Sequence, residues 1–187
     1  SSTSGRNSLK PGRVMSFKDH FSAQATDYAR FRPDYPAGLF AWLAGIAPMP
    51  DTAWDCGTGS GQAAVGLAAH FRHVIATDPS RRQLEHAEPH PRVEYRQASA
   101  EVSLLDTASV DLVTVAQAIH WFDLEKFYAE AKRVLKPGGA IAAWTYTLLD
   151  VEAGIDELLT DFYRNVVGPY WPPERRMVDD RYRSLPF

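Results

Sequence analysis

Residues 53–64, AWDCGTGSGQAA, constrain the fold more than any other stretch. They begin like a strand, pass through Gly57, Gly59 and Gly61, and continue like a helix. Glycine loses more backbone entropy on folding than any other residue. Three so close together mark a tight turn or a close approach of backbone to another group. In open parallel sheets the first strand-to-helix turn is the usual ligand loop.

The rest of the chain alternates in the same sense. Residues 1–14 are polar, Gly/Ser-rich and basic, and read as a flexible tail ahead of a single domain over 15–187. Phe17, Phe21 and Tyr28 share one helical face over 17–31, and RPDYPAG interrupts that helix through Pro33 and Pro36. A second helix follows in AGLFAWLAGIAP. Strands are expected at Thr52–Cys56, 73–77, Val93–Gln97, 109–118 and 140–149. Helices are expected at 62–71, 79–87 and 124–135, the last ended by the turn KPGG. Apolar strands alternating with helices imply an α/β, Rossmann-like open sheet, mostly parallel, with helices on both faces. After residue 149 one more helix reads from the pattern, then a Pro-rich aromatic tail with no strand hairpin.

Composition narrows the classes. The net charge of −3 over 187 residues gives no basic excess for nucleic acid. The single cysteine, Cys56, excludes an internal disulfide framework and a thiolate zinc site. His86 and His90 have helical spacing, but Pro89 lies between them, so no metal is expected. No apolar run is long enough to span a bilayer, and the reading is a cytoplasmic protein with no membrane partner.

Two ligand classes suit the loop. A dinucleotide requires G-x-G-x-x-G, and Gln62 stands where its last glycine belongs. The alternative rests on several motifs together. WDCGTGSG, followed in order by IATDPS, ASAE, SVDLVTVAQAIHWFD and VLKPGGAIAAW, and preceded by YARFRPDYP, resembles the class I S-adenosylmethionine (SAM)-dependent methyltransferases. Within them it is most similar to the small-molecule branch related to trans-aconitate methyltransferase.

Gly57 and Gly59 would let the backbone approach SAM without Cβ clashes. Asp78 ends the second strand 21 residues after Gly57, the offset at which an acidic side chain accepts hydrogen bonds from a ribose diol. Its other reading is a helix cap before Pro79. The resemblance implies that Asp55 lies near the methionine moiety and that Ala100 and Glu101 stand at the adenine edge. It also implies that Tyr28 and Arg32 cover the ligand. Thr58, Pro79 and Gln117, within or beside these motifs, complete the expected cofactor set. Ser99 and Gln83 depart from the family pattern, where aspartate and an apolar residue are usual.

Transfer from a sulfonium needs alignment and water exclusion more than acid–base machinery. His120 is the expected base if the acceptor must lose a proton; otherwise it walls the pocket with Trp121. The expected function is methyl transfer to a small-molecule acceptor, through a carboxylate or hydroxyl. The rivals are a nicotinamide oxidoreductase and a SAM-binding module without turnover. Without a closing hairpin, the fifth strand is expected to leave an apolar edge open to self-association. The chain is accordingly expected to be a piece of a longer protein.

Overall fold

The computed structural model describes residues 34–148 and 151–186. The expected tail over 1–14 and helix over 17–31 lie outside the described residues. The elements run α1 (Ala37–Ile46), β1 (Thr52–Cys56), α2 (Gln62–Ala68), β2 (His73–Asp78), α3 (Arg81–Glu85), β3 (Val93–Gln97) and β4 (Val110–Ala116). A 3₁₀ turn (Ile119–Trp121) leads to α4 (Leu124–Val134) and β5 (Leu135–Trp144). Helix α5 (Ala153–Asp161) runs into a wider π-helical stretch (Phe162–Val167), and α6 (Arg175–Asp179) follows.

All five strands are parallel, in the order β3-β2-β1-β4-β5. The chain builds outward from β1 to β3, then crosses back to place β4 on the other side of β1. The strand order therefore reverses between β1 and β4, and a crevice opens beyond their carboxyl ends. Among the described residues β5 pairs only with β4, so its outer edge has no strand partner there.

Alternation along the strands divides the core in two. Ala53, Val74, Ala76 and Leu112 face α1 and α2, while Trp54, Ile75, Val113 and Val115 face α4. The first face is built from small residues, and a Cβ on Gly66 would run into the Phe40 ring of α1. On the second face Trp54 is fully buried, and its indole N–H donates to Thr77 Oγ1 (2.9 Å). Phe127, Ala131 and Val134 of α4 cover it at the spacing the sequence predicts.

One expectation is corrected. KPGG is not a turn ahead of a strand at 140–149: α4 ends at Val134 and the backbone extends at once, with Leu135 pairing to Val110. The register then jumps to Leu112↔Ala140, so the extra residues bulge out, with Gly138 at φ +80°. Lys136 in this bulge binds Asp111 Oδ2 (2.8 Å), which also accepts the Thr52 N–H. The Pro-rich tail, which the sequence shows only as aromatic and without a hairpin, reaches the core. Val178, Tyr182 and Leu185 enter the α4-side core, although α5 buries no residue.

Glu130 on α4 anchors the loop between β3 and β4. It accepts the Ser103 N–H (2.8 Å), the Ser103 hydroxyl and two guanidinium bonds from Arg133 (2.8 Å each). The Arg133 bonds first, then those from Ser103, hold its carboxyl down at about 2. A folded-state value below the unfolded one stabilises the fold above the unfolded value of about 4.5, and that stabilisation is lost as pH falls toward 2. Glu130→Gln is expected to cost about 1–3 kcal/mol at pH 7. Thermal melts at pH 7 and pH 3 should show the gap to the parent protein narrowing in acid.

Candidate active site

The loop after β1 is folded by its own backbone. Gly57, Gly59 and Gly61 all stand at positive φ (+71°, +58° and +87°), the left-handed region that side chains disfavour. The Gly57 and Thr58 N–H groups both donate to the Thr77 carbonyl (2.8 and 2.9 Å), tying the loop to the end of β2.

The three glycines face different surroundings. A Cβ on Gly57 would lie 2.7 Å from Ala118 Cβ and 3.1 Å from Phe122 Cζ, so this glycine seals the loop against the segment after β4. A Cβ on Gly61 would lie 2.8 Å from Tyr95 Cζ. At Gly59 nothing among the described residues lies within 4 Å. The close ligand approach expected of both Gly57 and Gly59 is thus divided: the Cβ side of Gly57 is filled by protein, and that of Gly59 is open among the described residues.

Asp78 links the loops after β1 and β2. Its Oδ2 accepts the Gly59 N–H (2.9 Å) and its Oδ1 the Ser80 N–H (2.8 Å). The side-chain cap of α3 is Ser80, which accepts the Gln83 N–H, so Asp78 is not the N-cap. Asp55 is fully buried: Oδ2 accepts the Thr58 hydroxyl (2.6 Å) and Oδ1 the Thr114 hydroxyl (2.9 Å). Glu101 accepts the Asp123 N–H (3.1 Å) at the start of α4, while Ala100 is buried. Pro79 gives its carbonyl to Gln97 (3.0 Å). Burial first, then Asp55, Glu101 and Asp78, push the Cys56 thiol well above its ordinary value. Three carboxylates therefore act on one point beneath the loop, a field that favours a cation.

Tyr28 and Arg32 lie outside the described residues. Their neighbours nevertheless span the mouth of the crevice. Asp34 accepts from Gln62 Nε2 (3.0 Å) at the start of α2, and Tyr35 packs edge-on to Trp144 at the end of β5 (5.6 Å between centroids).

Across the crevice, Gln117 stands at φ +60°, donates its N–H to the Trp144 carbonyl (3.0 Å), and accepts the Thr145 hydroxyl (2.8 Å). Among the described residues its buried Nε2 has no partner, and neither does the Trp144 indole N–H. His120 is 8% exposed, stacks beside Trp121 (4.6 Å), and places Nδ1 3.0 Å from the Tyr182 hydroxyl. Burial and the Arg175 charge push it down to about 4, against a smaller opposing effect of Glu174. The ring is neutral at pH 7. A cleft of about 490 Å³ adjoins this group, lined by residues 143–147 with Arg181 and Tyr182. The sequence reading missed Tyr182 and Thr145 because their partners are far away along the chain.

A glycine loop at the switch point, carboxylates beneath it and an acidic residue closing β2 define a nucleoside-binding α/β domain. The methyltransferase-domain family profile matches residues 54–143. A solved structure named as a type II methyltransferase of Anaeromyxobacter dehalogenans is 49% identical, with a TM-score of 0.77, covering 84% of this chain and 67% of that one. A Dictyostelium discoideum protein named as a methyltransferase is 41% identical over 173 residues, covering 90% of this chain and 66% of that protein. The fold is shared at 20% identity (TM-score 0.57, 76% of this chain and 38% of the other) with a Haemonchus contortus phosphoethanolamine N-methyltransferase solved with S-adenosylhomocysteine. The chain belongs to the SAM-dependent methyltransferase family. It spans about two thirds of the Dictyostelium protein and about half of two fission-yeast relatives. Among the described residues no helix is long and apolar enough to cross a membrane.

Proposed function

We propose that this crevice delivers the methyl group of SAM to a small-molecule acceptor through a carboxylate or hydroxyl, as in the branch related to trans-aconitate methyltransferase. The observation that carries the reading is the pairing of Gly59, open on its Cβ side, with Asp78, whose carboxylate already holds the Gly59 N–H. A ribose diol beside that loop would meet the same carboxylate, which has about four lone-pair sites. SAM supplies a methyl group already activated by the positive sulfur; everything else is alignment and exclusion of water.

Asp55 acts mainly through the loop, bracing Thr58 while its charge favours the cationic end of the ligand. Ala100, Glu101 and Pro79 would border the adenine and ribose, with Tyr28 and Arg32 as cover. Gln117 would offer its buried Nε2 to the ligand's polar groups. The cleft of about 490 Å³ suits a small acceptor rather than a macromolecule. The outer edge of β5 is proposed as a route to self-association, to be read by sedimentation across a concentration series.

Calorimetric titration with SAM, S-adenosylhomocysteine and NAD, followed by a methyl-transfer screen over small organic acids and phenols, tests the reading. Both sulfur nucleosides should bind and NAD should not, with turnover on one acceptor class. Binding without turnover on any acceptor would instead leave a SAM-binding module.

A further inference from the structure

The cleft at the end of β5 brings one cation and no anion to an aromatic wall. Trp144, Tyr146 and Tyr182 line it with Thr145, Thr147 and Arg181, and among the described residues no acidic one does. Nor, among those residues, does Arg181 take part in an ion pair. Burial pushes the Tyr182 hydroxyl up to about 12, with the Arg175 charge pulling the other way. Tyr182 therefore stays protonated at pH 7 and adds no negative charge to the cleft.

The turn that carries Arg181 is held in a costly shape. Arg181 and Tyr182 follow one another at φ +55° and +59°. Their N–H groups donate back to the Val178 and Met177 carbonyls (2.9 and 3.0 Å), and Val178 and Leu185 are buried on either side. Left-handed residues other than glycine persist only where their surroundings over-determine them, and they gather at functional sites. The cleft also adjoins the nucleoside loop. Trp144 pairs with Ala116 at the end of β4, Thr145 donates to Gln117 (2.8 Å), and Ala118 packs against Gly57. A molecule in the cleft would lie at the same end of the sheet as the glycine loop.

A guanidinium fork matches the two oxygens of a carboxylate, and aromatic faces take flat groups. We propose that the methyl acceptor is a small planar acid, whose carboxylate Arg181 clamps, whose flat body rests on the aromatic wall, and which receives the methyl on a second oxygen. The proposal rests on the methyl-transfer reading above. The clamped carboxylate is not the nucleophile, because the guanidinium holds its charge. In the step, the second oxygen bonds to the methyl carbon as the carbon–sulfur bond breaks, and that bond's electron pair stays on sulfur. A second carboxylate becomes a neutral ester; a hydroxyl passes its proton to water.

Chemical-shift titrations of the full chain with benzoate, benzamide, succinate and phenyl phosphate, each with and without S-adenosylhomocysteine, test the site. Benzoate should bind at least about tenfold more tightly than benzamide, its uncharged counterpart, and than succinate, which lacks the ring. Arg181→Gln should weaken benzoate by about ten- to a hundredfold and leave benzamide and S-adenosylhomocysteine unchanged. Arg181→Lys should recover only part of the loss, since an ammonium cannot form the two-pronged contact. Arg181→Gly, free of left-handed strain, should bind benzoate as weakly as Arg181→Gln with a Tm no lower than the parent's, which separates lost recognition from misfolding. Benzoate affinity that is unchanged in Arg181→Gln, or no better than that of benzamide, overturns the anion site. Succinate as tight as benzoate overturns the planar body, and phenyl phosphate about tenfold tighter overturns the carboxylate. Failure of S-adenosylhomocysteine to bind sinks the methyl-transfer reading instead, and the benzoate titrations alone still decide Arg181.

Discussion

Asp78→Ala is expected to weaken SAM binding by at least about a hundredfold, since each hydrogen bond to a charged group is worth about 1.5–3 kcal/mol and two ribose bonds would be lost. The same change strips the acceptors from the Gly59 and Ser80 N–H groups, so the two loops it joins would loosen together. Asp78→Asn separates the effects: it keeps an acceptor oxygen while removing the charge. Calorimetry reads the affinity and a thermal melt reads the fold. Parent-like affinity in Asp78→Ala would remove Asp78 from the site.

Gly57→Ala and Gly59→Ala should fail in opposite ways. At Gly57 the new Cβ meets Ala118 Cβ at 2.7 Å, and φ is +71°. A left-handed residue costs about 1–2 kcal/mol and overpacking about 1–3 more, a fall in Tm on the order of 10 °C for a chain of this size. At Gly59 only the left-handed cost of about 1–2 kcal/mol applies, because no atom of the described residues lies near. That methyl would project into the space proposed for SAM, and affinity should fall by about tenfold or more. Thermal melts with and without SAM distinguish the two. An equal loss of Tm in both variants, with equal SAM affinity, would mean that the open side of Gly59 is not a ligand face.

Much of this arrangement is written locally. Thr52–Cys56 is legible to the residue because Pro50 and Gly57 punctuate it, and Val93–Gln97 because it starts just after Pro91 and is rich in strand formers. Glycine spacing and the position of Asp78 likewise depend on neighbours in sequence. What a linear reading cannot supply is who meets whom at distance. Gly57 and Gly59 look equivalent until Ala118 and Phe122 are seen packed against only one of them. Asp55 reads only as lying near the methionine moiety, and the bond it accepts from Thr114, 59 residues away, is not announced locally. The spacing of Val178, Tyr182 and Leu185 fits one helical face, yet surrounding prolines and arginines hide it. Where β5 begins depends on Val110 being available to pair with Leu135, which no local pattern announces.

The two walls of the crevice come from different halves of the chain, one from residues 55–101 and the other from 117 onward. Such a split permits independent variation. Exchanges in the late stretch could retune which nucleophile is admitted without disturbing the earlier grip on the nucleoside. One scaffold could thereby give rise to catalysts of differing taste.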